Sequence, residues 1–158
     1  MGTRLLISAL GSTVAIGLGT LAAGAPASVD DGPGRADAAG KRGKLRLKRT
    51  RFGRVIHDTR TDLAAYAFTR DRRRKSRCYG ECARVWPPWK ADRKPRAGNG
   101  IKRRRIRLVA RRGGAKQVTY KGRPLYFYVH DSPGVILCHD VFEFGGDWLL
   151  LKRSGKPA

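Results

Sequence analysis

One short pattern occurs twice in this chain at a constant offset. The first copy reads Tyr66-Ala67-Phe68-Thr69-Arg70-Asp71 and the second Tyr126-Phe127-Tyr128-Val129-His130-Asp131. A shift of 60 carries one onto the other, and the same shift carries Cys78 onto Cys138. Trp86 and Trp148 follow with a shift of 62. Internal repetition constrains a fold more than any single residue does. It implies two similar supersecondary units that bury their apolar faces against each other.

The N-terminus reads as a targeting segment. Arg4 precedes an uncharged apolar run, Leu5 to Leu21, and small residues then end at Ala25-Pro26-Ala27. This is the pattern of a secretory signal peptide over residues 1–27, cut before Ser28. The competing reading is an anchor that stays in the membrane, against which the run is short and carries glycine. No cysteine lies near the cleavage region, so a lipid-modified N-terminus is not supported.

The chain has 35 Lys and Arg against 12 Asp and Glu, a formal charge of +23. Removing residues 1–27 takes away Arg4 alone and leaves +22. Such a field draws anionic partners. In the cytoplasm nucleic acid would come first. Export disfavours it, and anionic cell-envelope polymers or lipid headgroups take its place. The bland alternative is arginine accumulating on a solvated face.

Residues 28–51 show no hydrophobic period and end in a basic run, so they are expected to be a disordered basic tether. Residues 52–153 should form one small domain: repeat one over 52–90, a basic connector over 91–114 and repeat two over 115–153. Val55-Ile56 and Tyr66-Phe68 flank a polar turn at Thr59 to Asp62, giving one hairpin. Gln117–Tyr120 and Pro124–Val129 flank Lys121-Gly122, a tighter turn whose glycine suits positive φ. Tyr126, Tyr128 and His130 alternate with Leu125, Phe127 and Val129, so the two sets face opposite ways. A strand near Arg105–Ala110, a helical turn over Gly80–Val85 stopped by Pro87, and closing strands bent at Gly145-Gly146 complete the reading. The fold class is mainly β: a small single domain of two pseudo-symmetric β-hairpin repeats.

These residues together resemble the bacterial secreted-repeat proteins, often lipoproteins, marked by a Tyr-x-aromatic-x-x-Asp motif. Cys78-Tyr79-Gly80-Glu81-Cys82-Ala83 with Trp86-Pro87-Pro88 is similar to that family's segment after the first motif. Gly122-x-Pro124-Leu125-Tyr126, then Phe144-Gly145-Gly146 and Trp148, are similar to its second half. The likeness runs over about residues 52–153. It implies a secreted or surface-attached protein of unestablished activity and supplies no catalytic residues. The missing lipobox cysteine and Ala64-Ala65 are departures.

Several constellations are candidates for chemistry. Tyr66, Phe68, Tyr126 and Tyr128 fit core positions, and Asp71 and Asp131 fit strand ends that cap turns. As a pair, the two carboxylates could also act as acid and base or as cation ligands. Three cysteines in an oxidising compartment leave one unpaired. Cys78–Cys82 is the simplest bridge, and both occur together in the resembling family. Repeat equivalence makes a bridge to Cys138 a rival. His130, Cys138 and His139, with His57, are weak metal or haem candidates, since their spacing matches no zinc or haem pattern. Trp86-Pro87-Pro88-Trp89 with Arg72, Arg73, Arg74 and Lys75 is a candidate binding surface of interleaved aromatics and cations; the competing reading makes Trp86 a core residue with Trp89 capping it. The leading expectation is a non-catalytic secreted domain without a cofactor, held at the envelope by charge. The alternative is a redox or metal- or haem-carrying accessory using the Cys and His residues.

Overall fold

The computed structural model describes residues 43–158. The signal-peptide reading and residues 28–42 of the expected tether lie outside the described residues.

The remainder of that tether is not disordered. Strand β1, Lys44–Thr50, pairs antiparallel with β2, Gly53–Asp58, in register from Leu45↔Asp58 to Thr50↔Gly53. Leu45 is fully buried and Leu47 packs beside it, while Lys44, Arg46, Lys48 and Arg49 stay partly or wholly in solvent. Two leucines two residues apart supply the apolar face. The cations around them mask that alternation, so the ordered domain starts about nine residues earlier than expected.

The described residues form three small sheets. The first has the order β2-β1-β4, with β4, Arg96–Ala97, parallel to β1. The second pairs β3, Tyr66–Phe68, with β9, Gly146–Leu150, and β9 with β8, Val141–Glu143. The third is β5, Ile106–Ala110, with β6, Lys116–Tyr120, and β7, Arg123–Pro124. Isolated bridges join them, among them Tyr66↔Tyr126, Lys90↔Gln117 and Val55↔Lys152. Among the described residues, a short α-helix, α1 at Glu81–Val85, and a 3₁₀ turn at Arg103–Arg105 complete the elements.

Of the expected turns, the one at Lys121-Gly122 holds, the bend expected at Gly145-Gly146 falls one residue earlier, and one hairpin is largely replaced. Lys121 and Gly122 have φ of 51° and 84°, which is what a two-residue hairpin between right-twisted strands requires. Phe144 and Gly145, at 55° and 76°, make the same turn between β8 and β9. The hairpin expected between Val55-Ile56 and Tyr66-Phe68 survives only near its turn, where Asp58 N–H donates to Leu63 O and Ala65 N–H to Ile56 O. Beyond Ala65 the chain leaves β2, because Tyr66 to Phe68 pair with Leu150 to Trp148 instead.

Side chains alternate between two hydrophobic clusters. Val55, Ala64, Tyr66, Phe68, Tyr126 and Leu150 enter one, while Ile56, Ala65, Ala67, Leu125 and Leu151 enter the other. Central strands are therefore buried on both faces, which explains the run Ala64-Ala65-Tyr66-Ala67-Phe68: small residues on one side, aromatics on the other. Leu125 and Phe127 against Tyr126 and Tyr128 follow the same division, as the alternation requires. The two motif copies are not alike in secondary structure, since the first forms β3 while Tyr126 makes only isolated bridges.

Candidate functional site

The motif copies meet at the centre of the domain. Tyr66 N–H donates to Tyr126 O at 2.9 Å, and Tyr126 N–H donates back to Tyr66 O at 3.0 Å. Each hydroxyl then reaches the carboxylate of the other copy: Tyr66 O–H donates to Asp131 Oδ2 and Tyr126 O–H to Asp71 Oδ2, both at 2.7 Å. The free oxygen of each Asp accepts a backbone N–H six residues on, Arg77 at 2.7 Å and Leu137 at 2.9 Å. The Asp residues thus cap their own loops, as turn chemistry suggests, and also receive the tyrosine across the repeat. That second role has no signal in the spacing.

Burial raises both carboxyls. Asp71 rises to about 6, with the bonds from Tyr126 and the Arg77 N–H and the charges of Arg111 and Arg77 acting against the rise. Asp131 rises for the same reason against bonds from Leu137 and Tyr66. Burial, the partner aspartate's bond and its charge also push the phenols of Tyr66 and Tyr126 well above the usual tyrosine range.

A buried polar network extends from Asp71. The Tyr126 hydroxyl lies 2.8 Å from Ser76 Oγ. Arg111 donates to Ser76 Oγ at 2.8 Å, Gln117 Oε1 at 2.6 Å and Cys78 O at 2.6 Å, and it covers the Tyr79 ring. Gln117 Nε2 donates onward to Leu125 O. Arg111 is 8 % exposed. A buried guanidinium needs such satisfaction, because losing one partner leaves its charge uncompensated. Sequence reasoning missed Arg111, Ser76 and Gln117. Within a basic connector Arg111 looks like any other cation.

The aromatic half of the expected binding surface is core. Trp86 and Trp89 are 0 % and 3 % exposed and belong to different clusters. Trp86 stacks on Trp148 and donates to Glu143 Oε2 at 2.8 Å, and Trp89 packs on Phe127. Neither is presented to a ligand, because these large apolar rings fill the two clusters. Arg72, Arg73, Arg74 and Lys75 are exposed on a tight turn in which Arg72 and Lys75 exchange backbone bonds. Arg72 and Arg73 line a cavity of about 380 Å³ together with Asp71, Lys121 and Arg123.

Cys78 and Cys82 form the disulfide, at the start of α1, and Cys138 is a free thiol. Burial raises the Cys138 thiol despite a bond with Tyr128. The histidines stay apart in role. His57 is buried, and burial lowers its pKa; His130 is exposed beside Tyr128, and His139 sits against Phe52 and accepts Leu150 N–H. Among the described residues, no three His, Cys, Asp or Glu side chains are grouped to hold a metal ion.

A second depression, of about 720 Å³, is lined by Arg54, Lys102, Arg105, Lys121, Lys152 and Arg153 and by no acidic residue. Its cations come from β2, the loop and 3₁₀ turn before β5, the β6–β7 turn and the segment after β9.

Residues 107–152 match the family model of a secreted repeat of unknown function. That span holds the second motif copy, β5 to β9, Cys138 and Trp148. The resemblance carried by the motifs therefore holds there. Comparison with curated proteins and with solved structures finds no match.

Proposed function

We propose that this protein is a secreted, non-catalytic domain that binds anionic components of the cell envelope. The observation that carries this reading is uncompensated charge. The chain carries +23 overall, and the ion pairs among the described residues are Arg46–Asp62, Lys48–Asp62 and Arg60–Asp58. Among the described residues, most cations therefore lack a carboxylate within ion-pair distance. Mutual repulsion among these cations favours any polyanion that neutralises them, and counterion release adds to the affinity.

The motif residues support a structural role rather than catalysis. Both carboxylates have their oxygens engaged by a tyrosine and a backbone N–H, and the tyrosines are fully buried. The matched secreted family fits an extracellular setting in which wall polymers and headgroups are the abundant polyanions.

The test is co-sedimentation of the purified protein with isolated cell-envelope material across a salt series. Binding should weaken steeply as salt rises. Absent or salt-insensitive binding refutes the reading.

A further inference from the structure

The six-cation depression is more than a share of the general charge. Its cations are brought together by segments distant in sequence, and the turn that carries two of them is pinned from beneath. Tyr120 O–H donates to Arg153 O at 2.9 Å and Arg105 Nη1 donates to the same carbonyl at 3.2 Å. Lys121 Nζ donates to Ser154 O. Gly155 N–H closes the turn onto Lys152 O at 2.8 Å, and Lys152 N–H bonds Lys156 O at 3.0 Å. Gly155 has a φ of 79°, and a Cβ there would fall 2.5 Å from Lys121 Cδ. The turn is thus shaped by a glycine that lets the lysine lie across it, and Lys152 and Arg153 are carried on a fixed backbone.

The opposite wall is fixed as well. Gly100, with a φ of 78°, lies against Leu47, where a Cβ would come within 2.6 Å of Leu47 Cδ1. Lys102 lies two residues on, after Ile101, and Arg105 N–H donates to Lys102 O at 2.9 Å to close the 3₁₀ turn. The Lys102 ammonium is crowded by the charges of Arg105, Arg104, Arg153 and Lys121, in that order, which lower its pKa. Cations held this close on rigid backbone, with no carboxylate in the lining, repel one another in the empty state. An anion that spans them removes that repulsion on a backbone already held by hydrogen bonds, so the ordering cost is confined to the side chains.

Resting on the envelope-binding reading above, the structure assigns this depression as the seat of a multiply charged phosphate ligand, engaged by Lys102, Arg105, Lys152 and Arg153. Several charges are required of the ligand, because one carboxylate cannot neutralise cations on both walls. Phosphate oxygens suit a mixture of guanidinium forks and ammonium point charges.

The experiment titrates the full chain with inorganic tripolyphosphate by calorimetry and by amide NMR shifts. Two triple variants carry equal losses of charge. One removes the depression (Lys102→Gln, Lys152→Gln, Arg153→Gln), and the other removes the exposed turn (Arg72→Gln, Arg74→Gln, Lys75→Gln). All the substituted side chains reach solvent, and an unchanged NMR spectrum elsewhere certifies the fold. The inference predicts shifts centred on residues 100–105 and 152–155. It also predicts an affinity loss of about tenfold or more in the first variant, equivalent to ~1.4 kcal/mol, and a much smaller loss in the second. Equal losses in both variants overturn the site while leaving general charge binding intact. No tripolyphosphate binding alongside retained envelope binding overturns the phosphate assignment. Failure of both means that the underlying reading has failed. Vesicles of phosphatidylcholine with cardiolipin, whose headgroup joins two phosphates, separate the phosphate sources. If the first variant loses vesicles as well as tripolyphosphate, the ligand is a headgroup; if it loses tripolyphosphate alone, the ligand is a free phosphate chain.

Discussion

Tyr66 and Tyr126, equivalent positions of the two motif copies, exchange both backbone hydrogen bonds, at 2.9 and 3.0 Å. Their hydroxyls then cross to Asp131 and Asp71. Each copy thereby completes the other: the aspartate that ends one motif is satisfied by the tyrosine that begins the second. The repeat is retained as an interlocking pair, and neither copy can close its own polar groups alone.

Removing one hydroxyl tests the interlock. Tyr66→Phe and Tyr126→Phe each leave a buried carboxyl oxygen without its donor, which costs about 1–3 kcal/mol. Each also removes a bond that holds the facing carboxyl down, so Asp131 or Asp71 should titrate higher than in the native protein. Urea denaturation and carboxyl NMR titration check the two effects. A neutral Tyr126→Phe would show that Ser76 and Arg111 suffice around Asp71.

Part of the fold around this interlock was legible in the chain, though the interlock itself was not. The constant shift of 60 marked the paired units, and alternation sorted Tyr126 and Tyr128 from Leu125 and Phe127. The turns at Lys121-Gly122 and before Gly146 follow from glycine at positions of positive φ. What remained hidden was pairing at long range. Val55 to Asp58 look able to pair with Tyr66 to Phe68, but β1 pairs with them instead, and Tyr66 to Phe68 pair with Leu150 to Trp148, where Phe68 stacks on Trp148. The cationic depression was hidden too, because its members belong to segments whose proximity only the tertiary fold creates. Trp86 and Trp89 were open to two readings, and core volume chose between them.

The aromatic stack should dominate stability. Trp148 lies between Phe68, at 4.2 Å, and Trp86, at 4.1 Å, with planes 8° and 2° from parallel. Trp86→Ala empties the middle of that cluster and removes the bond to Glu143. The expected loss is about 3–5 kcal/mol, from lost transfer energy and the cavity left behind. Trp86→Phe should recover part of it. Thermal and denaturant unfolding measure both, and a loss below 1 kcal/mol would contradict the packing.

The disulfide should contribute less than a long-range bridge would. Cys78 and Cys82 are four residues apart. A loop of that size corresponds to about 2 kcal/mol in the chain-entropy description. The paired Cys78→Ser, Cys82→Ser variant should therefore fold with that loss. Under denaturing, non-reducing conditions the native protein should label at one thiol, Cys138, and at three after reduction. A peptide linking Cys138 to either partner would contradict the pairing.

Asp71 sets a pH dependence of definite sign. Its folded pKa of about 6, raised first by burial, lies above the unfolded carboxylate value of about 3.9. The folded protein therefore holds that proton more tightly than the unfolded chain does. The resulting stability is fully present below about pH 4 and is lost as pH rises through about 6, with no further change above. Other groups titrate nearby: Asp131 and Asp58 shift the same way through burial. Asp62 shifts the opposite way, because its bonds to Lys48 and Arg46 outweigh burial. The clean quantity is thus the stability of the native protein minus that of Asp71→Asn, measured by urea denaturation at a series of pH values. That difference should fall between about pH 4 and 6 and then level off. A difference that grows over the same window would mean that the cations, Arg111 and Arg77 foremost, outweigh burial at this carboxyl.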